Sequence, residues 1–185
     1  MSIRGAAVLA ALVTMLLSGA GSASGRALES GPTPNCSPGD CSGWYRTNVS
    51  VTWTAPAGAS LQNCQFDTIT SDTSGVTLSC TAFYSASLSV TSHVTIKRDA
   101  TAPSVTGASP ARGPEGGGWY TSPVGVTFTG TDGTSGIGSC TSTTYSGPDS
   151  ASASVSGTCT DQAGNVSGPS SFALRYDASG PSIDA

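Results

Sequence analysis

Apolar and polar residues alternate along most of this chain. Val49, Val51 and Trp53 are separated by single polar residues, and Val124, Val126 and Phe128 by Gly125 and Thr127. Further on, Val76, Leu78, Cys80 and Ala82 fall on one face, as do Leu88, Val90, Val94 and Ile96. Ala151, Ala153, Val155 and Cys159 share another, and Phe172 pairs with Leu174. A period of two is the mark of a strand with one buried face. No segment beyond the first 25 residues sustains the 3.6-residue apolar period of a helix. Gly and Pro clusters at Pro56 to Gly58, Gly133 to Gly138 and Gly147-Pro148 separate the strands as turns. The pattern predicts an all-β protein of antiparallel sandwich type.

The pattern also occurs twice. Trp44-Tyr45 and Trp119-Tyr120 precede the two alternating runs, and an offset of 75 is kept from the aromatic pair to Phe128. A constant offset across an alternating run is a duplicated strand with its register preserved. Cys64 then matches Cys140, Cys80 matches Cys159, and Asp99-Ala-Thr-Ala-Pro103 matches Asp177-Ala-Ser-Gly-Pro181 at an offset of 78. Two tandem sandwiches are expected, over 36–103 and 119–181, with a linker over 104–118. Pro181-Ser182-Ile183 repeats Pro103-Ser104-Val105, so 182–185 reads as a tail or the start of a further repeat. The expectation is either the opening of a longer array or a two-unit protein with a frayed end.

The first residues carry a different signal. Arg4 precedes an apolar stretch from Ala6 to Leu17, followed by small residues from Gly19 to Ala23. This is the form of a cleaved secretory signal, expected over 1–25, and it is too short to span a bilayer comfortably. A disordered leader is expected over 26–35. An exported chain with six cysteines, no Cys-x-x-Cys pair and a single histidine points to three disulfides rather than to zinc. Only the pairs Cys64–Cys80 and Cys140–Cys159 suit both copies, which leaves Cys36 for Cys41. Units this small bury too little surface to be secure without such staples.

Composition narrows the partners. Ser and Thr make up about 30% of residues, and charged residues only 10%. With a net charge of -4 and Lys97 the single lysine, there is no basic patch for nucleic acid or for an anionic membrane surface. A protein or a carbohydrate at the cell exterior is the expected partner, and no cofactor is expected.

Candidate chemistry is sparse. His93 is the one imidazole, and its place beside Val94 turns it away from the buried face, as expected of a solvated strand residue rather than a catalytic base. Glutamate occurs only at Glu29 and Glu115, and the aspartates at turns, such as Asp72, Asp132 and Asp161, suit local backbone capping better than glycoside hydrolysis. An enzyme is therefore not expected. Asp132, Asp161, Asn165 and Asp177 are oxygen donors near strand ends, but they are sparser than usual calcium ligands, so no metal is expected. The recurring Trp44, Tyr45, Trp119 and Tyr120 form the candidate ligand platform, set against the alternative that they pack on the preceding segment.

The tandem units, their Gly-Trp-Tyr openings at Gly43 and Gly118, the Thr160-Asp-Gln-Ala-Gly-Asn165 hairpin and the Asp-x-x-x-Pro exits resemble bacterial immunoglobulin-like repeats of secreted and cell-surface proteins. The first copy departs from this pattern at Thr81 to Ala86, and Trp53 precedes both cysteines of its copy, unlike the Cys-Trp-Cys order of antibody domains. The resemblance implies immunoglobulin-like sandwiches with a role in adhesion, ligand binding or spacing. A carbohydrate-binding module accessory to a secreted hydrolase is the alternative.

Overall fold

A computed structural model of the protein describes residues 29–183. The expected signal sequence and the first residues of the expected leader lie outside these. The described chain is all-β, in two sandwiches of the same plan. The first contains β1 (Thr33–Ser37), β2 (Trp44–Tyr45), β3 (Val49–Thr54), β4 (Ser60–Gln62), β5 (Asp67–Ile69), β6 (Thr73–Ser85) and β7 (Leu88–Arg98). The second contains β8 (Ser104–Pro110), β9 (Trp119–Tyr120), β10 (Val124–Thr131), β11 (Ile137–Cys140), β12 (Ser142–Tyr145), β13 (Ser150–Gly157), β14 (Cys159–Asp161) and β15 (Ser170–Tyr176).

In the first sandwich one sheet has the order β1-β3-β5 and the other β2-β7-β6-β4. The second repeats this with β12-β10-β8 facing β13-β15-β9, while β11 and β14 pair separately. In both copies the opening strand switches sheets. β1 pairs antiparallel with β3, then β2 crosses over and runs parallel to the last strand, β7. β8 and β9 do the same against β10 and β15. This is how an immunoglobulin-like sandwich uses one short segment to close both sheets.

Alternation sets the core. Val49, Val51 and Trp53 of β3 meet Leu78, Cys80, Val94 and Ile96 across the sandwich, with Tyr45 and Ile69. Val124, Val126 and Phe128 are the buried face of β10, and Tyr120, Ala153, Leu174 and Tyr176 pack with Val124 from the facing sheet. Each fully buried Val, Ile or Phe contributes about 1.5–3 kcal/mol relative to exposure. Gly157 leaves room for the Phe128 ring: a Cβ there would lie 2.6 Å from Phe128 Cε2.

The crossover between sheets is braced differently in the two copies. In the first, Cys36 is bonded to Cys41 across it. In the second, the Arg112 guanidinium pairs with Glu115 and donates to Ser122 Oγ. Each brace spans the segment between the first two strands of its copy, and Cys36 and Cys41 have no counterparts in the second. Of the other two disulfides, Cys140–Cys159 joins the paired strands β11 and β14, and Cys64–Cys80 ties the loop behind β4 to the neighbouring strand β6, unlike the bond between sheets in antibody domains.

Two boundaries differ from the sequence reading. β1 begins at Thr33, inside the segment read as leader over 26–35, and Ser104–Pro110, inside the segment read as linker over 104–118, is the first strand of the second sandwich. Both are edge strands containing Pro and carrying few large apolar residues, so alternation marks them weakly. What joins the sandwiches is the short stretch from Asp99 to Pro103.

Candidate functional site

The densest polar cluster lies at the junction of the two sandwiches. β7 ends at Arg98, and Asp99 follows with its N–H bonded to the Tyr45 carbonyl at 2.8 Å. Its side chain is 0% exposed. One carboxylate oxygen accepts the Thr101 N–H at 3.0 Å, within the exit turn. The other accepts the Ser135 N–H at 3.0 Å, across the junction. Asn165 answers from the second sandwich, donating Nδ2 to the Asp99 carbonyl at 3.0 Å. Arg46 donates to the Gly164 carbonyl at 3.0 Å, so both halves of the junction contribute donors.

Two loops of the second sandwich build the receiving side. Asp132 Oδ1 gathers the N–H groups of Thr134, Ser135 and Gly136 into a tight turn. Burial pushes the Asp132 carboxyl up, but the Gly136, Thr134 and Ser135 N–H groups outweigh it and hold the group below its ordinary range. Asp161, at the end of β14, accepts from the Asn165 N–H and from Asn165 Nδ2, fixing the hairpin that carries Asn165.

Asp99, Asp132 and Asp161 thereby bring carboxylate oxygens within 4.8 Å of one another. Of the four oxygen donors picked from the sequence, Asp132, Asp161 and Asn165 converge here. Asp177 does not: it lies exposed at the far end of the second sandwich, and its repeat counterpart Asp99 takes the place beside them. Within a single copy that grouping is invisible, because Asp99 belongs to the preceding unit. The three carboxylates could supply half of the six to eight oxygens that calcium takes, and each is also engaged by N–H donors of the chain.

The proposed aromatic platform divides. Tyr45 and Tyr120 are 8% and 5% exposed and belong to the core, so neither offers a surface to a ligand. Their hydroxyls bind the preceding segment instead: the Cys41 N–H donates to Tyr45 Oη, and Tyr120 Oη donates to the Arg112 carbonyl. Trp44 and Trp119 are half-buried. Each ring carries a cation from the adjacent last strand, Lys97 at 5.7 Å and Arg175 at 6.0 Å from the ring centroid. Beside Arg175 a groove of about 490 Å³ runs past Pro114, Ser152 and Ala173. His93 is exposed on the outer face of β7, opposite Ser79.

No family model matches the chain, and no curated protein does. Among solved structures, fibronectin(III)-like modules of Clostridium thermocellum CbhA are similar over 82% of this chain and 99% of that one, at 12% identity and a TM-score of 0.38. The assignment of two immunoglobulin-like sandwiches stands on the strand pairings themselves.

Proposed function

We propose that this protein is an extracellular, non-catalytic tandem module that fixes the spacing and orientation of whatever lies on either side of it. The observation that carries this reading is the junction: a wholly buried Asp99 bonded to Ser135 of the next sandwich, with Asn165 bonded back to the Asp99 carbonyl. A flexible linker needs no such arrangement. Default expectation for tandem domains is relative motion, and specific buried polar bonding is what opposes it. Three disulfides support a location outside the cell.

NMR relaxation of the described chain tests the reading. One shared, anisotropic rotational tensor is expected for both sandwiches. Two independent correlation times would overturn the spacer role.

The repeated Trp and cation pair favours a second reading, contact with carbohydrate. Trp44 with Lys97 and Trp119 with Arg175 present the same combination in both copies. Binding on a glycan array that is lost in Trp119→Ala would support it, and an array without signal would leave the rings a packing role.

A further inference from the structure

We propose that the exit of the second sandwich, Asp177 to Pro181, is a preformed docking end for another sandwich built like residues 104–176 and joined directly behind Pro181. The inference rests on the spacer reading and gives the junction a direction.

The two exits share the bonds that shape their turns, while the Arg98–Asp72 ion pair of the first has no counterpart because Tyr176 stands in place of Arg98. The Asp99 N–H donates to the Tyr45 carbonyl, and the Asp177 N–H donates to the Tyr120 carbonyl at 2.9 Å. Thr101 N–H caps Asp99, and Ser179 N–H caps Asp177 at 3.0 Å. A second aspartate clamps each turn from the side. Asp72 accepts the Ala100 N–H and the Thr101 hydroxyl, and Asp149 accepts the Ala178 N–H and the Ser179 hydroxyl. The second exit thus holds the conformation that the first adopts in a formed junction.

What differs is the cover. Asp99 is buried because Ser135 and Asn165 close over it, while Asp177 is exposed. Among the described residues nothing donates to Asp177 Oδ2, the counterpart of the oxygen that takes the Ser135 N–H. Ile183 is 95% exposed, while its counterpart Val105 is half-buried and paired with Gly130. The unmet groups match what a second-sandwich unit supplies: a turn N–H of the Ser135 kind, an Asn165 amide and an edge of the β10 kind.

The receiving loops exist only in the second copy. By register, Asp132 and Asp161 correspond to Ala57 and Ala82 of the first, and Asn165 to Ala86. The first sandwich therefore has an exit but no acceptor loops of this kind. The second has both. Its own acceptor loops are filled by Asp99, so two copies of this chain have no free pair of complementary ends and should not polymerise. A bond across the junction also lacks a counterpart: Arg46 is replaced by Thr121, so a further junction rests on the aspartate and on Asn165.

The test appends a second copy of residues 104–183 directly behind Pro181 of the full chain and follows amide exchange. In this three-unit protein the N–H of the appended Ser135 copy is expected to exchange about 3- to 10-fold more slowly than in the same protein carrying Asp177→Ala, less than the loss of a whole bond to a charged group because the Asp132 copy still accepts it. Asp177→Asn, which keeps an acceptor for the Ser179 N–H, guards against simple misfolding of the exit and should fall between. A control with residues 33–103 appended instead should tumble independently of the unit before it. Equal exchange in wild-type and Asp177→Ala, or equal docking of the first-sandwich copy, would overturn the inference. Independent tumbling of the two original sandwiches would sink the spacer reading instead, so the two failures are distinguishable.

Discussion

Replacing Asp99 with alanine removes an acceptor at the centre of the junction without touching either apolar core. Two N–H groups lose a charged partner, Thr101 in the exit turn and Ser135 across the junction. Hydrogen bonds to charged groups contribute roughly 1.5–3 kcal/mol each, but Ser135 keeps a second bond to Asp132 at 2.9 Å, which lowers its share. A loss of about 2–3 kcal/mol follows, which for domains of this size moves a melting temperature by about 8–24 °C if it falls on one sandwich. Asp177→Ala is the matched control, an equivalent residue with one N–H partner and no cover, and a shift below about 2 °C is expected there. Differential scanning calorimetry of both variants measures the difference. Running each scan in chelator and in millimolar calcium separates a structural aspartate from a metal ligand, since a cation selective for the folded junction would raise the melting temperature by mass action. With the carboxylates engaged by the chain's own donors, equal scans are expected. Equal melting of Asp99→Ala and Asp177→Ala would refute the account of the junction, and a calcium shift of many degrees would reassign the cluster.

Other outcomes follow from the packing and the charges. Gly157→Ala drives a methyl into the Phe128 ring and should cost about 2–3 kcal/mol in thermal or denaturant unfolding, whereas Gly133→Ala, with open space around it, should stay within about 0.5 kcal/mol. Removing the Cys140–Cys159 bond by double Ser substitution should cost about 3 kcal/mol for its 19-residue separation, and non-reducing peptide maps should give the three bonds described. The Thr101 hydroxyl and the Ala100 N–H hold Asp72 below its ordinary value of 3.8, and the Ser179 hydroxyl and Ala178 N–H do the same for Asp149. Their contribution is present above about pH 4 and is lost as pH falls through the lowered values, so the melting temperature should be level from neutral pH down to about 4 and then drop; Asp72→Asn should blunt that drop.

Much of this architecture was readable because one rule governs it. Val49, Val51, Trp53 and their counterparts at Val124, Val126 and Phe128 are large, alternate cleanly and are buried as expected. The edge strands β1 and β8 were not readable, since Pro34, Asn35, Ser109 and Pro110 offer no apolar face to count. The turn aspartates were recognisable as a type, and Asp132 behaves as one. Their meeting with Asp99 was hidden for a different reason. A repeat compares a residue with its counterpart in the next copy, whereas a junction joins residues that are not counterparts at all. The aromatic pairs failed as a platform on the tyrosines alone, because a strand sends neighbouring side chains to opposite faces, and Trp44 and Tyr45 must part company.

The parallel pairing of first and last strands has a mechanical consequence. In each sandwich the segment where the chain enters lies beside the segment where it leaves, β2 against β7 and β9 against β15. Tension applied through the two ends therefore acts along those strands in opposite directions, loading their hydrogen bonds in shear together instead of unzipping them singly. The cysteine brace of the first sandwich stays closed under such a load, while the Arg112–Glu115 brace of the second weakens with ionic strength. Pulled in high salt, the protein should yield at the second sandwich first.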